Sequence, residues 1–276
     1  HIELLSSIMK HAKNKQRRQL ETLFDLKNAF GEVHHNLIKS VLEFHNVPEP
    51  VVDLINHLYS NYFISVITND YITKPIEVNR GVLQGGCLSP LIFKLCINTL
   101  ITAIKKEQIN CFGYFLDKVI NPRHWFQFAD DTAIITALQE DNQILCNAFS
   151  KWTSWADLTI RIDKCHTFGI KKSTTSSVQY LPNIIVQKER IPPIEINESF
   201  IYLGKEFNYG LNLDSIKKEI IDNVNSYLIK IDKHPLKSYN KLSIFERYVC
   251  SKLRWRFTFY DLSETWVAKN IDVLIF

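Results

Sequence analysis

Three aspartates carry the most chemical information in this chain. Two are adjacent, Asp130-Asp131, set between apolar runs in Trp125-Phe126-Gln127-Phe128-Ala129-Asp130-Asp131-Thr132-Ala133-Ile134-Ile135. Neighbouring carboxylates repel, and each resists leaving water, so buried flanks demand a compensating cation for both. The pair lacks the Asn-Gly or Asp-Gly chemistry of a simple two-residue hairpin loop. A divalent metal is the natural compensation, and two-metal nucleotidyl transfer is the chemistry that most often requires it. On its own such a pair is more often an exposed acidic turn. The third, Asp25, closes the apolar run Thr22-Leu23-Phe24-Asp25-Leu26. If that strand lies beside the aspartate hairpin, three carboxylates converge and could hold two Mg²⁺ ions roughly 3.5–4 Å apart. Magnesium takes carboxylate oxygens and substrate phosphates, which suits a site of aspartates without His or Cys. Taken alone, Asp25 is as readily an exposed residue at a strand end.

The elements that must position these residues are legible in outline. Residues from Leu4 to about Leu20 have a helical pattern with a basic cluster, Lys10, Lys13, Lys15, Arg17 and Arg18. That cluster would meet an anionic partner or form a solvated face. Asn36 to Phe44 and Pro50 to Tyr59 have helical spacing and are broken apart by Pro48 and Pro50. Tyr62 to Thr68 and Tyr71 to Val78 form a hairpin pattern around Asn69-Asp70. A Gly-containing loop, Arg80 to Leu88, leads to a helix opening near Ser89-Pro90, with Ser as N-cap and Pro as first helical residue. Its apolar run, Leu91 to Ile104, contains Lys94 and Asn98 and is too short for a bilayer, so it is expected to be a buried helix. After the aspartate hairpin come a helix from about Asn142 to Trp155, a strand from Cys165 to Ile170, and strands around Ile184 to Ile196. Beyond Tyr202-Leu203-Gly204 the pattern turns helical, over Leu213 to Ile231 and Leu242 to Tyr260. There Trp255, Phe257, Phe259 and Tyr260 mix with Lys252, Arg254 and Arg256.

Composition narrows the class. With 276 residues, 46% of them apolar, the chain can bury a substantial core, and 12% aromatic content rules against disorder. A net charge of +4 is too mild to establish a nucleic-acid partner by itself. Six cysteines are scattered without a C-x-x-C, which suits free thiols in a reducing compartment rather than disulfides or zinc. Cys165-His166 is the one tight pair of soft ligands, and no second pair flanks it. No targeting signal or membrane segment is visible. The chain opens at His1 and stops within an apolar segment, so it reads as part of something larger.

Four ordered motifs carry a family resemblance. Phe24-Asp25-Leu26-Lys27-Asn28-Ala29-Phe30, then Arg80 to Pro90 with Gln84-Gly85-Gly86, then Phe128-Ala129-Asp130-Asp131, then Asp163-Lys164-Cys165 followed by Tyr202-Leu203-Gly204 resemble reverse transcriptases. The likeness is greatest to non-LTR (LINE-type) retrotransposon enzymes and more distant to group II intron maturases. It covers about Leu20 to Gly204 and weakens through the tail.

The resemblance implies an α+β fold, a right-hand polymerase palm with an antiparallel sheet backed by helices. Residues 1–205 would be the palm with partial fingers, and 206–276 a helical thumb start. It implies RNA-directed DNA synthesis by two Mg²⁺ ions, with Mn²⁺ as a substitute. One ion would activate the primer 3′-hydroxyl and the other would steady the pyrophosphate. Asp25, Asp130 and Asp131 would be ligands, with the Leu26 carbonyl as a further contact. Phe30 matches the steric gate that excludes a ribose 2′-hydroxyl, which argues against an RNA-dependent RNA polymerase; by itself it could be ordinary core. Gln84 and Gly85 would line the incoming nucleotide and template base. Arg80 would contact a phosphate or form a salt bridge within the palm. Lys164 would protonate the departing pyrophosphate or stand solvated. Tyr202-Leu203-Gly204 would grip the primer end or form a plain corner. The tail's basic and aromatic mixture would track a duplex backbone or be a solvated amphipathic face.

Expected partners are an RNA template, a DNA primer or nicked target DNA, and dNTP, with no membrane. Localisation would be intracellular and, by resemblance, nuclear. Two departures stand out. Gly31 occupies a position where many members carry a second Asp, and the upstream finger segments and any endonuclease domain are not in these residues. The rival readings are a maturase-like enzyme and a palm that binds nucleic acid without catalysis.

Overall fold

The computed structural model describes residues 1–83, 85–108, 113–116 and 121–275. Its contacts group His1 and Ser7–Glu198 into one unit, and Ile2–Ser6 with the residues from Ser199 onward into a second.

Ile2–Asn14 forms α1, whose residues from Ser7 onward belong to the first unit, with Ile8, Met9 and Ala12 buried. The helical pattern was expected to reach Leu20, but the helix stops at Asn14. Lys15 to Arg18 offer no apolar side chain to a core, and Gln16 turns the chain with a φ of 51°. The residues that follow bury far more as β1, Gln19–Phe24, which is buried along its whole length. That strand starts earlier than its apolar residues suggest, because Gln19 and Glu21 are inside.

Next come α2, Ala29–Glu32; α3, His35–Phe44; and α4, Glu49–Ser60. Pro50 lies in the first turn of α4 rather than before it, where its missing N–H costs nothing. The hairpin around Asn69-Asp70 forms as β2, Phe63–Ile64, and β3, Ile76–Glu77, with Ile67 and Ile72 bridged nearer its tip. The helix α5, Ser89–Gln108, buries Ile92, Phe93, Cys96, Ile97, Leu100 and Ile104, a helical repeat of apolar positions. Among the described residues no helix is long and apolar enough to cross a membrane.

The strands β4, Trp125–Phe128, and β5, Asp131–Thr136, follow, then α6, Gln139–Trp155. The sheet is completed by β6, His166–Lys172, and β7, Ser177–Tyr180. A small ribbon, β8 (Ile185–Val186) and β9 (Glu189–Arg190), closes the unit. The main sheet has the order β4-β5-β1-β6-β7, with every pairing antiparallel. Its central strand, β1, packs Phe24 against Phe149 of α6 with ring centroids 4.2 Å apart. One continuous core joins Leu20 and Ile134 of the sheet to Phe93 and Leu100 of α5 and to Leu145 and Trp152 of α6. The sheet therefore has one face sealed by helices, and its strand ends are left to build a site.

The second unit opens with a hairpin, β10 (Ser199–Tyr202) and β11 (Lys205–Asn208). Its two-residue loop, Leu203-Gly204, has φ values of 50° and 77°, the sign that the right-handed strand twist prefers. Then come α7, Asp214–Lys233; α8, Ser238–Ile244; and, through a wide helical turn at Phe245–Val249, α9, Cys250–Phe259. Ile216, Ile220 and Val224 of α7 form its core with Val249, Leu253 and Tyr260. The Tyr260 hydroxyl accepts the Glu206 N–H at 2.8 Å, and Arg256 pairs with Glu219 at 2.5 Å.

Candidate active site

Strand register brings the three aspartates together. β1 pairs with β5 so that Phe24 faces Thr132. Carried one residue further, that register sets Asp25 opposite Asp131. β5 also pairs with β4, Phe128 facing Asp131, which leaves Ala129-Asp130 as a two-residue loop. The loop forms without Asn-Gly or Asp-Gly because Ala129 itself takes a φ of 54°. A residue with a Cβ loses on the order of 1–2 kcal/mol in that region. The strain sits at the hairpin tip that presents Asp130.

Asp25 is held by its backbone and left open by its side chain. Its N–H donates to the Cys165 sulfur at 3.4 Å, and its carbonyl accepts the Arg161 N–H at 2.9 Å. Leu26 bridges to Ile160, and the Lys27 N–H donates to the Thr159 carbonyl at 2.9 Å. These bonds extend the sheet past the formal end of β1. Burial pushes the Cys165 thiol up to about 12, so it stays neutral and serves as a sulfur acceptor. Burial, and then the charge of Lys164, lower the His166 imidazole below its usual range. Cys165 thus helps order the end of β1 through its bond from the Asp25 N–H.

Electrostatics single out Asp131. Its carboxyl is raised above the ordinary carboxylate value, first by the protein packed around it, then by the charges of Asp130 and Asp25. The residue is nonetheless exposed to solvent. Three mutually repelling carboxylates of hard oxygen donors suit a divalent cation by type. Among the described residues, however, no three His, Cys, Asp or Glu side chains stand as a closed metal-ligand group.

Behind the sheet, Asn142 of α6 ties together the two strands that carry Asp25 and Asp131. Its Oδ1 accepts the Thr22 hydroxyl of β1 at 2.6 Å, and its Nδ2 donates to the Ile134 carbonyl of β5 at 3.5 Å. The Cys146 thiol donates to the same Oδ1 at 3.2 Å. A buried amide with both ends satisfied fixes strand spacing in a way apolar packing does not. Sequence reading passed over Asn142, whose only signal is a polar residue in the first turns of an otherwise apolar helix face.

A cleft of ≈ 640 Å³ opens at this end of the sheet, lined among others by Asp25, Leu26, Phe30, Gly85, Asp130 and Arg161. Its volume is that of a small-molecule site. Phe30 is half-buried and stacks on Phe93 with centroids 3.8 Å apart and planes 14° apart. Its carbonyl accepts the Val82 N–H at 2.8 Å, which locks α2 to the loop before α5. That loop approaches closely at Gly81, where a Cβ would come within 2.9 Å of the Gly31 carbonyl oxygen. Gly85 has a φ of 84° and open space around it, so backbone conformation rather than crowding favours glycine there. Gln84 lies outside the described residues.

The remaining expected residues lie elsewhere. Arg80 forms the internal salt bridge, 2.7 Å to Asp157 and 3.6 Å to Glu32. His34 bonds the same Asp157 carboxylate at 3.0 Å. The His34 bond and then Arg80 hold Asp157 below the usual carboxylate value. Lys164 stands exposed in the 3₁₀ turn Ile162–Lys164, outside the lining of the cleft. Tyr202, Leu203 and Gly204 belong to the hairpin of the second unit. Arg161, which does line the cleft, was not singled out from sequence because nothing in its local pattern distinguishes it from a strand-end cation.

An antiparallel sheet backed by helices, with carboxylates at its central strand end, is the palm of a right-hand polymerase. The chain belongs to the reverse transcriptase (RNA-dependent DNA polymerase) family, whose model matches residues 1–206. Divalent metal ions are in general use across that family. Among its relatives is a Retrovirus-related Pol polyprotein from type-1 retrotransposable element R2 of Popillia japonica, 23% identical over 276 residues, covering 98% of this chain and 43% of that protein. The Retrovirus-related Pol polyprotein from type-2 retrotransposable element R2DM of Drosophila melanogaster is 23% identical over 241 residues, covering 87% of this chain and 22% of that protein. The chain thus spans less than half the length of these relatives. A solved structure of apo telomerase from Candida tropicalis, truncated from its C-terminal domain, aligns at 12% identity over 75% of this chain and 38% of that one, with a TM-score of 0.49.

Proposed function

We propose that the chain carries the palm of a non-LTR retrotransposon reverse transcriptase and catalyses RNA-templated DNA synthesis. The observation that carries the reading is the β1–β5 register, which sets Asp25 against Asp131 beside the Asp130 turn and couples all three electrostatically. Asp25, Asp130 and Asp131, with the Leu26 carbonyl, would hold two Mg²⁺ ions, or Mn²⁺ in their place, which supply activation of a 3′-hydroxyl and neutralisation of the pyrophosphate. The protein's part is to order the strands that carry those carboxylates, through the Asn142 tie and the backbone bonds to Asp25. Phe30 would place its ring against the sugar and leave no room for a 2′-hydroxyl. Gly85 would let the backbone approach the nucleotide, as Gln84 would beside it. Lys164 would act as the proton donor to pyrophosphate by moving in with the substrate.

Residues 1–205 would then be the palm with partial fingers and the rest a thumb start, whose Tyr202-Leu203-Gly204 turn grips the primer. The partners are an RNA template, a DNA primer or nicked target DNA, and dNTP. Work on chromosomal target DNA would place the protein in the nucleus. Primer extension by residues 1–276 on a primed RNA template, with Mg²⁺ and then Mn²⁺, tests the reading beside Asp130→Ala. Extension by the parent alone supports it. Nucleic-acid binding without extension under either metal would favour a palm that binds and does not catalyse.

A further inference from the structure

We propose that Arg161 binds the phosphate chain of the incoming nucleoside triphosphate. The inference rests on the reading above and deepens it. Of the described residues lining the ≈ 640 Å³ cleft, Arg161 is the one cation, set among Asp25, Asp130 and neutral groups. A polyanion entering a cleft whose other fixed protein charges are carboxylates gains from a protein cation facing it, beside any metal that those carboxylates hold. A guanidinium offers a planar fork that matches two phosphate oxygens at once.

The residue is fixed for the task at its backbone, and its guanidinium makes no hydrogen bond among the described residues. Its N–H donates to the Asp25 carbonyl at 2.9 Å, and its own carbonyl accepts the Lys164 and Cys165 N–H groups at 2.8 and 3.0 Å. The Cα is therefore fixed between the aspartate strand and the turn that follows. The guanidinium is 41% exposed and its nearest carboxylate oxygen, on Asp25, is 4.0 Å away. That is the outer limit of an ion pair and too long for a hydrogen bond. The Arg80 guanidinium, by contrast, is engaged at 2.7 Å with Asp157. Arg161 keeps its donors for something that enters the cleft.

Equilibrium binding tests this on the whole chain. A fluorescent deoxynucleoside triphosphate and its monophosphate are titrated in Ca²⁺, without primer, against the parent, Arg161→Gln and Arg161→Lys. Loss of charge-assisted bonds should weaken triphosphate binding by Arg161→Gln roughly 10- to 100-fold while moving the monophosphate little. Arg161→Lys, with charge but no fork, should fall between. In extension assays the same substitution should raise KM for dNTP and largely spare kcat. Equal triphosphate affinity in the parent and Arg161→Gln, at matched melting temperatures, would show that Arg161 merely neutralises Asp25, and so would an equal loss for both nucleotides. A parent that binds neither nucleotide overturns the polymerase reading itself, and this inference with it.

Discussion

One run of chain holds acids of two opposite kinds. Glu21 and Asp25 lie on the β1 run, on the same face by strand alternation, and differ in everything but charge type. Glu21 is fully buried at the sheet centre, and burial raises its carboxyl to about 8 against the one hydrogen bond from Gln19. That bond is 3.2 Å long, and the other Glu21 oxygen has no partner among the described residues. Asp25 is half-exposed at the strand end, beside two further carboxylates and a cleft. The lesson is that a sheet's middle neutralises an acid, while its end can leave several carboxylates open to solvent and to a cleft. Acidic residues at the end are equipped for chemistry. The one in the middle is a burden on stability.

Substitutions should separate the two regions. The largest effect is expected at the cleft: Asp25→Asn or Asp130→Ala should cut primer extension by about 10³-fold or more, with little change in melting temperature, since neither removes core packing. Glu21→Gln should do the reverse and leave extension near that of the parent. Its acid has a folded value above the ordinary 4.5. Folding therefore takes up a proton between pH 4.5 and about 8, and stability falls as pH rises through that window. Replacing the acid by its amide should recover on the order of 2–4 kcal/mol near pH 8 and almost nothing near pH 4, read by denaturant unfolding at both pH values.

A smaller change is expected from Phe30→Val. Opening the floor of the cleft should reduce discrimination against ribonucleotides by roughly tenfold, measured as the ratio of kcat/KM for dNTP and rNTP. Within the carboxylate cluster, Asp130→Asn should lower the titration midpoint of Asp131, followed by carboxyl NMR, because one of the charges raising it is gone. An unmoved midpoint would mean that burial and the Asp25 charge set it without Asp130. The smallest effect should come from Asp157→Ala. It removes one carboxylate partner from Arg80 and His34 at an exposed site, so a slight drop in melting temperature with unchanged extension is expected.

Much of this arrangement was legible in the sequence. The aspartate pair between apolar runs, the buried helix after Ser89 and the Asn69-Asp70 hairpin follow from patterning that each segment carries by itself. The start of β1 did not, because Gln19 and Glu21 look like surface residues and only the assembled sheet buries them. Nor did the Ala129 turn, where pairing on both sides of the loop overrides the local preference for glycine. Arg80 could be narrowed only to two roles, and its partner Asp157 is too remote in sequence to be seen. Arg161 and Asn142 matter through contacts across the sheet, which no local spacing encodes.

The most direct measurement is primer extension as a function of Mg²⁺ concentration for the parent, Asp130→Asn and Glu21→Gln, side by side. The account expects saturable, metal-dependent extension by the parent, the same curve for Glu21→Gln, and none for Asp130→Asn at any metal concentration. Full activity in Asp130→Asn, or extension that does not depend on metal, would contradict it.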